Sequence, residues 1–118
     1  MRILVTGVAG FIGAHTAKAL LKRGDEVVGI DNFNPYYDQA LKQARLAEVE
    51  SHPNFEFHAA DLVDKKALTD LYRRIQPDRI IHLAAQPGVR YSLENPQAYI
   101  DANITSFLNI LECARDHG

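Results

Sequence analysis

Cysteine is all but missing from this chain of 118 residues. With Cys113 alone, no internal disulfide can form and no thiolate cluster is available to hold a metal. The histidines, His15, His52, His58, His82 and His117, show no metal-ligand spacing, so no metal is expected. No apolar run approaches the about twenty residues that cross a bilayer, and the chain opens into a strand pattern rather than a leader. Basic runs are absent and the net charge is −2, which gives no footing for a nucleic-acid partner. A lone thiol, no leader and no membrane span lead us to expect a cytoplasmic protein. Internal repeats and low-complexity segments are also lacking.

What is present suits a single domain over residues 1–118: nearly half the residues are apolar and a quarter are charged. The chain is organised around Thr6-Gly7-Val8-Ala9-Gly10-Phe11-Ile12-Gly13. Met1 to Thr6 is apolar and β-branched, too short for a helix, and stops at a glycine, as a buried parallel strand does. Ile12, Ala14, Ala17, Leu20 and Leu21 then recur at helical spacing, closed by Lys22, Arg23 and the stop residue Gly24. A second strand, Glu26 to Ile30, ends at Asp31.

Each glycine has a physical task. Gly7 permits the sharp turn, Gly10 lets a diphosphate approach bare backbone, and Gly13 brings the helix close to the sheet. The unpaired amides of the first helical turn, at the positive end of the helix dipole, face the phosphates. Asp31, eighteen residues past Gly13, stands where a carboxylate accepts from both adenosine ribose hydroxyls. It would repel a 2′-phosphate: two unit charges about 5 Å apart at an effective dielectric of about 20 cost roughly 3 kcal/mol. No Arg or Lys between residues 3 and 17 offsets this, so the expected cofactor is NAD rather than NADP.

Past a polar, aromatic loop holding Asn32, Tyr36 and Tyr37, residues 38–50 read as a helix in which Asp38 and Lys42 stand one turn apart. A third strand runs from Phe55 towards Asp61. Asp64 caps a helix carrying Leu68, Leu71, Tyr72 and Ile75, and Pro77 ends it. A fourth strand, Arg79 to Ala84, is apolar on both faces. A loop over 85–94 leads to Asn95 as a cap and Pro96 at the first helical position. The last helix is expected to bury Ile100, Ile104, Phe107, Leu108, Leu111 and Ala114. His82 reads as a satisfied core histidine and Cys113 as a small buried hydrophobe. The fold expected is α/β, a Rossmann-like three-layer α/β/α arrangement with parallel strand order 3-2-1-4, truncated before a fifth strand.

Residues 3–13, Asp31-Asn32 with Tyr36-Tyr37-Asp38, His82-Leu83-Ala84-Ala85, Gly88 to Pro96 and Tyr99 to Glu112 together resemble the UDP-glucuronate 4-epimerases. These belong to the NAD-dependent epimerase/dehydratase family of extended short-chain dehydrogenases/reductases. The resemblance implies that Asp61 and Leu62 sit beside the adenine, with Asp61 as acceptor for its exocyclic amine; the alternative is that Asp61 helps start the following helix. It also implies that Phe11, Ile12, Asn32, Leu83, Ala84 and Ala85 join the cofactor site. Arg90, Tyr91 and Ser92 are candidates for a nucleotide-sugar substrate, or ordinary loop residues. Such epimerases use a tyrosine with a lysine four residues on, assisted by Ser or Thr. None of Tyr36, Tyr37, Tyr72, Tyr91 or Tyr99 has that lysine, so no catalytic residue is expected in this chain. The resemblance puts the missing helix and the sugar-binding domain beyond Gly118, making this the NAD-binding N-terminal part of an epimerase. Part of another nucleotide-sugar epimerase or dehydratase of the same superfamily, and a non-catalytic module that binds NAD or self-associates through an exposed fourth strand, are the alternatives.

Overall fold

Strand β1 (Arg2–Thr6) runs through the middle of a four-stranded parallel sheet in the order β3-β2-β1-β4. It pairs with β2 (Glu26–Asp31) in the register Arg2↔Glu26 to Thr6↔Ile30, and with β4 (Arg79–His82) in the register Ile3↔Arg79 to Thr6↔His82. Strand β3 (Phe55–Ala59) pairs with β2. The computed structural model describes residues 1–32, 39–84 and 95–117. The helices are α1 (Phe11–Arg23), α2 (Gln39–Glu50), α3 (Lys65–Ile75), α4 (Pro96–Ile100) and α5 (Ser106–His117). No helix among the described residues is long and apolar enough to cross a membrane.

Alternation along the strands divides the core in two, which is why the domain has three layers. Leu4, Val28 and Ile30 face α3 and α5, where they meet Leu68, Tyr72, Ile75, Ile110 and Cys113. Ile3, Val5 and Val27 face the other way, onto Ala17 and Leu21 of α1 and Leu46 and Val49 of α2. The α/β class and the order 3-2-1-4 stand as the sequence predicts.

Local signals set the element ends. Gly24 closes α1 in the left-handed region at φ 99°. The Asp64 carboxylate accepts the Ala67 amide 3.1 Å away and opens α3. Helix α3 closes at Gln76, ahead of Pro77.

The last helix departs from expectation in two ways. It is broken by a π-helical turn over Asp101–Thr105, across which the Ser106 hydroxyl donates to the Asp101 carbonyl at 2.9 Å. Its predicted core face is also turned outward: Ile104 is 60% exposed, and Ile100, Phe107, Leu108 and Leu111 are exposed as well. The buried face is Ser106, Asn109, Ile110 and Cys113. The physical reason is Asn109, whose amide donates to the Leu62 carbonyl at 2.7 Å and pins α5 to the β3–α3 turn. A buried amide that finds backbone acceptors is as much a core residue as a leucine.

Candidate functional site

The C-terminal ends of the strands, where open α/β sheets hold ligands, carry the predicted site. Gly7 turns the chain out of β1 at φ 69°, in the left-handed region that favours glycine, and its amide donates to the Ile30 carbonyl at 2.8 Å. A side chain at Gly7 would also strike the Ala84 amide, 2.8 Å from where its Cβ would lie. One at Gly13 would be driven into the Gly7 carbonyl. Turn, helix and the Leu83–Ala84 backbone just past β4 therefore meet closely, and only glycine fits between them.

Gly10 caps α1 in extended conformation, and its side chain, being absent, makes no capping bond. The first intrahelical bond runs from the Ala14 amide to the Gly10 carbonyl at 2.9 Å. The amides of Phe11, Ile12 and Gly13 thus have no intrahelical acceptor. The first turn holds no acidic residue, so nothing on α1 cancels the positive end of its dipole. Phe11 and Ile12, both expected at the cofactor site, are exposed at this mouth, while Ala14, Ala17 and Leu21 carry the buried face of the helix. The Arg45 guanidinium lies 5.5 Å from the Phe11 ring centre.

Asp31 is buried beside the turn, its Oδ2 accepting the Ala9 amide at 3.1 Å. Its Oδ1 accepts from the Lys42 ammonium at 3.3 Å, with the two side chains only 3% and 11% exposed. The glycine segment itself holds no offsetting cation; the fold brings one from α2 instead. Lys42 is also part of the packing face of α2, one turn before Leu46, and Asp38 lies outside the described residues.

Of the other predicted residues, Asn32 is exposed immediately after β2. Asp61 follows β3, and its Oδ1 accepts the Val63 amide at 3.0 Å, the bond that starts the turn into α3. The Ala60 amide donates to the Asp31 carbonyl at 3.3 Å, which keeps this edge joined to the Asp31 edge. Leu62 is buried in the core, so its backbone rather than its side chain borders the crevice. Leu83 and Ala84 lie against Gly7. Ala85, Arg90, Tyr91 and Ser92, like Tyr36 and Tyr37, lie outside the described residues.

Sequence reasoning missed the hydroxyl that ties this crevice together. Thr6 is fully buried, and its Oγ1 accepts the amides of Leu83 at 3.0 Å and Ala84 at 3.1 Å. His82 Nδ1 lies 2.7 Å from the same oxygen. A polar residue at the end of an otherwise apolar strand, just before the turn glycine, was the available signal. The arrangement as a whole offers bare amides and a helix dipole to a diphosphate, and a buried carboxylate, an acceptor on both oxygens, to a diol.

Over residues 4–118 the chain matches the family described as GDP-mannose 4,6 dehydratase. It is 51% identical to a probable UDP-glucuronate 4-epimerase of Rhizobium meliloti (strain 1021), over 98% of this chain and 34% of that protein. A solved structure of UDP-glucuronic acid 4-epimerase from Bacillus cereus, in complex with UDP-glucuronic acid and NAD, superposes with a TM-score of 0.88. The identity there is 40%, covering 98% of this chain and 37% of that one. UDP-glucose 4-epimerase of Thermus thermophilus in complex with NAD gives a TM-score of 0.83 at 36% identity, covering 100% of this chain and 35% of that one. The chain spans about a third of the length of these relatives.

Proposed function

The chain belongs to the family described as GDP-mannose 4,6 dehydratase, and from that membership together with its likeness to UDP-glucuronate 4-epimerases we propose that it is the NAD-binding N-terminal part of a nucleotide-sugar 4-epimerase of the UDP-glucuronate type. One observation carries the reading. The acceptor-free amides of α1 and the Asp31 carboxylate converge on one crevice, joined by the Ala9–Asp31 bond. The amides after Gly10 hold the diphosphate, Asp31 holds the adenosine ribose, and Asp61 with the Leu62 backbone borders the adenine. Leu83 and Ala84, against the turn at Gly7, line the cofactor; the roles of Ala85 at the cofactor and of Arg90, Tyr91 and Ser92 at the sugar nucleotide rest on the sequence resemblance, as these four lie outside the described residues.

In the whole protein NAD supplies a hydride acceptor and donor for oxidation and re-reduction at the sugar's C4. This chain's residues bind and orient; they contain no tyrosine with a lysine four residues on, and so no general base of the family's kind. We place the protein in the cytoplasm, whose reducing conditions suit the lone buried Cys113. Calorimetric titration tests the reading. The expectation is saturable NAD binding and no conversion of UDP-glucuronate by these 118 residues alone; absence of NAD binding would refute it.

A second reading has its own observation. Strand β4 ends the sheet among the described residues, and the outward face of α5 carries exposed Phe107, Leu108 and Leu111. An open edge beside an apolar stripe favours self-association. Sedimentation at rising concentration tests it, and a monomer throughout would count against it.

A further inference from the structure

The Thr6 hydroxyl has one proton and two lone pairs. Both lone pairs are engaged, by the Leu83 and Ala84 amides. The 2.7 Å contact with His82 can then form only if Thr6 donates its proton to Nδ1. That requires the neutral ring with its hydrogen on Nε2. A charged imidazolium would point an N–H at an oxygen with no lone pair left. It would also deprive the Thr6 proton of its acceptor.

The same two amides belong to the backbone against which Gly7 turns: Leu83 and Ala84 supply the atoms nearest to a Cβ placed on Gly7. Resting on the dinucleotide reading above, we propose that His82 is a positioning residue: as its uncharged Nε2–H tautomer it fixes Thr6, and through Thr6 the Leu83–Ala84 wall against the phosphate-binding turn, so that cofactor binding requires the neutral ring. Among the described residues, Thr6 of β1 and the Phe107 ring of α5, 5.4 Å away edge-on, pack on it, and neither is charged. Burial is what pushes the His82 titration below the ordinary histidine value, with no charged group among the described residues contributing. The site is thus held in its binding-competent form at neutral pH and released by acid.

The experiment has one arm that needs no cofactor. Long-range ¹H–¹⁵N correlation on the 118-residue chain should show the Nε2–H tautomer at neutral pH. The Gly7, Leu83 and Ala84 amide shifts should move together as His82 titrates. A Nδ1–H tautomer, or amides indifferent to that titration, overturns the proposal even if NAD binds. In the second arm, NAD affinity is measured by calorimetry across the same pH range. It should fall about tenfold per pH unit below the His82 pKa. His82→Asn, which offers Thr6 an acceptor that does not titrate, should bind at neutral pH and lose that fall; His82→Leu should bind weakly at every pH. A fall that persists in His82→Asn overturns the proposal. Absence of NAD binding at any pH refutes the cofactor reading, and the first arm still decides the role of His82.

Discussion

Replacing Lys42 by methionine tests whether the fold, rather than the motif, sets the preference between NAD and NADP. In the native chain a 2′-phosphate entering beside Asp31 would meet a carboxylate and an ammonium only 3.3 Å apart. At about 5 Å and an effective dielectric of about 20, each charge is worth roughly 3 kcal/mol, so the two largely cancel. Asp31 alone would reject NADP strongly; paired with Lys42 it rejects it weakly. Lys42→Met removes the cation, keeps the apolar stem that packs beside Leu46, and should widen the ratio of NAD to NADP affinity about a hundredfold. Losing one partner of a buried pair costs about 3–5 kcal/mol, less here because the carboxylate keeps the Ala9 amide. Calorimetric titrations with both dinucleotides, run below a melting temperature measured for each variant, read the ratio directly. A folded Lys42→Met protein with an unchanged ratio would show that the ammonium is not felt at the 2′ position.

Gly7→Ala should lose NAD binding and melt earlier: positive φ alone costs about 1–3 kcal/mol, and the new methyl meets the Ala84 amide. A variant that binds as before would contradict the close approach. Asn109→Ala, by denaturant midpoint, should cost about 1–3 kcal/mol because the buried Leu62 carbonyl loses its donor. A neutral result would mean the amide does not hold α5. Stability should also decline in acid. The buried ring of His82 takes a proton less readily folded than unfolded, so its stabilisation is complete above the ordinary value of 6.5 and drains away as pH falls towards its lowered pKa. The Arg23 hydrogen bond holds the Asp25 carboxyl below its usual range, adding stability that is present above pH 3.8 and lost as pH falls through the lowered value. Melting curves of His82→Asn should lack the upper step and keep the lower. Finally, Leu108→Glu with Leu111→Glu should shift sedimentation towards monomer without lowering the melting temperature, since both side chains are already half-exposed; unchanged association would discard that face.

Local physics made most of the architecture readable in advance. A glycine that must adopt φ 69°, an aspartate that caps a helix and a proline that ends one act on residues within a turn of themselves. Strand periodicity likewise decided which apolar residues look up and which look down, and that sufficed for a three-layer domain with Asp31 beside the glycine turn. Tertiary structure decided what depends on partners distant in sequence. Lys42 reaches Asp31 from the next helix, Asn109 finds Leu62 across 47 positions, and Thr6 meets His82 across 76. The last helix shows the limit most plainly. It carries apolar residues on two sides, and periodicity favoured the bulkier stripe. The inner face was chosen by where one amide could satisfy its hydrogen bonds, and that depends on acceptors supplied by distant backbone.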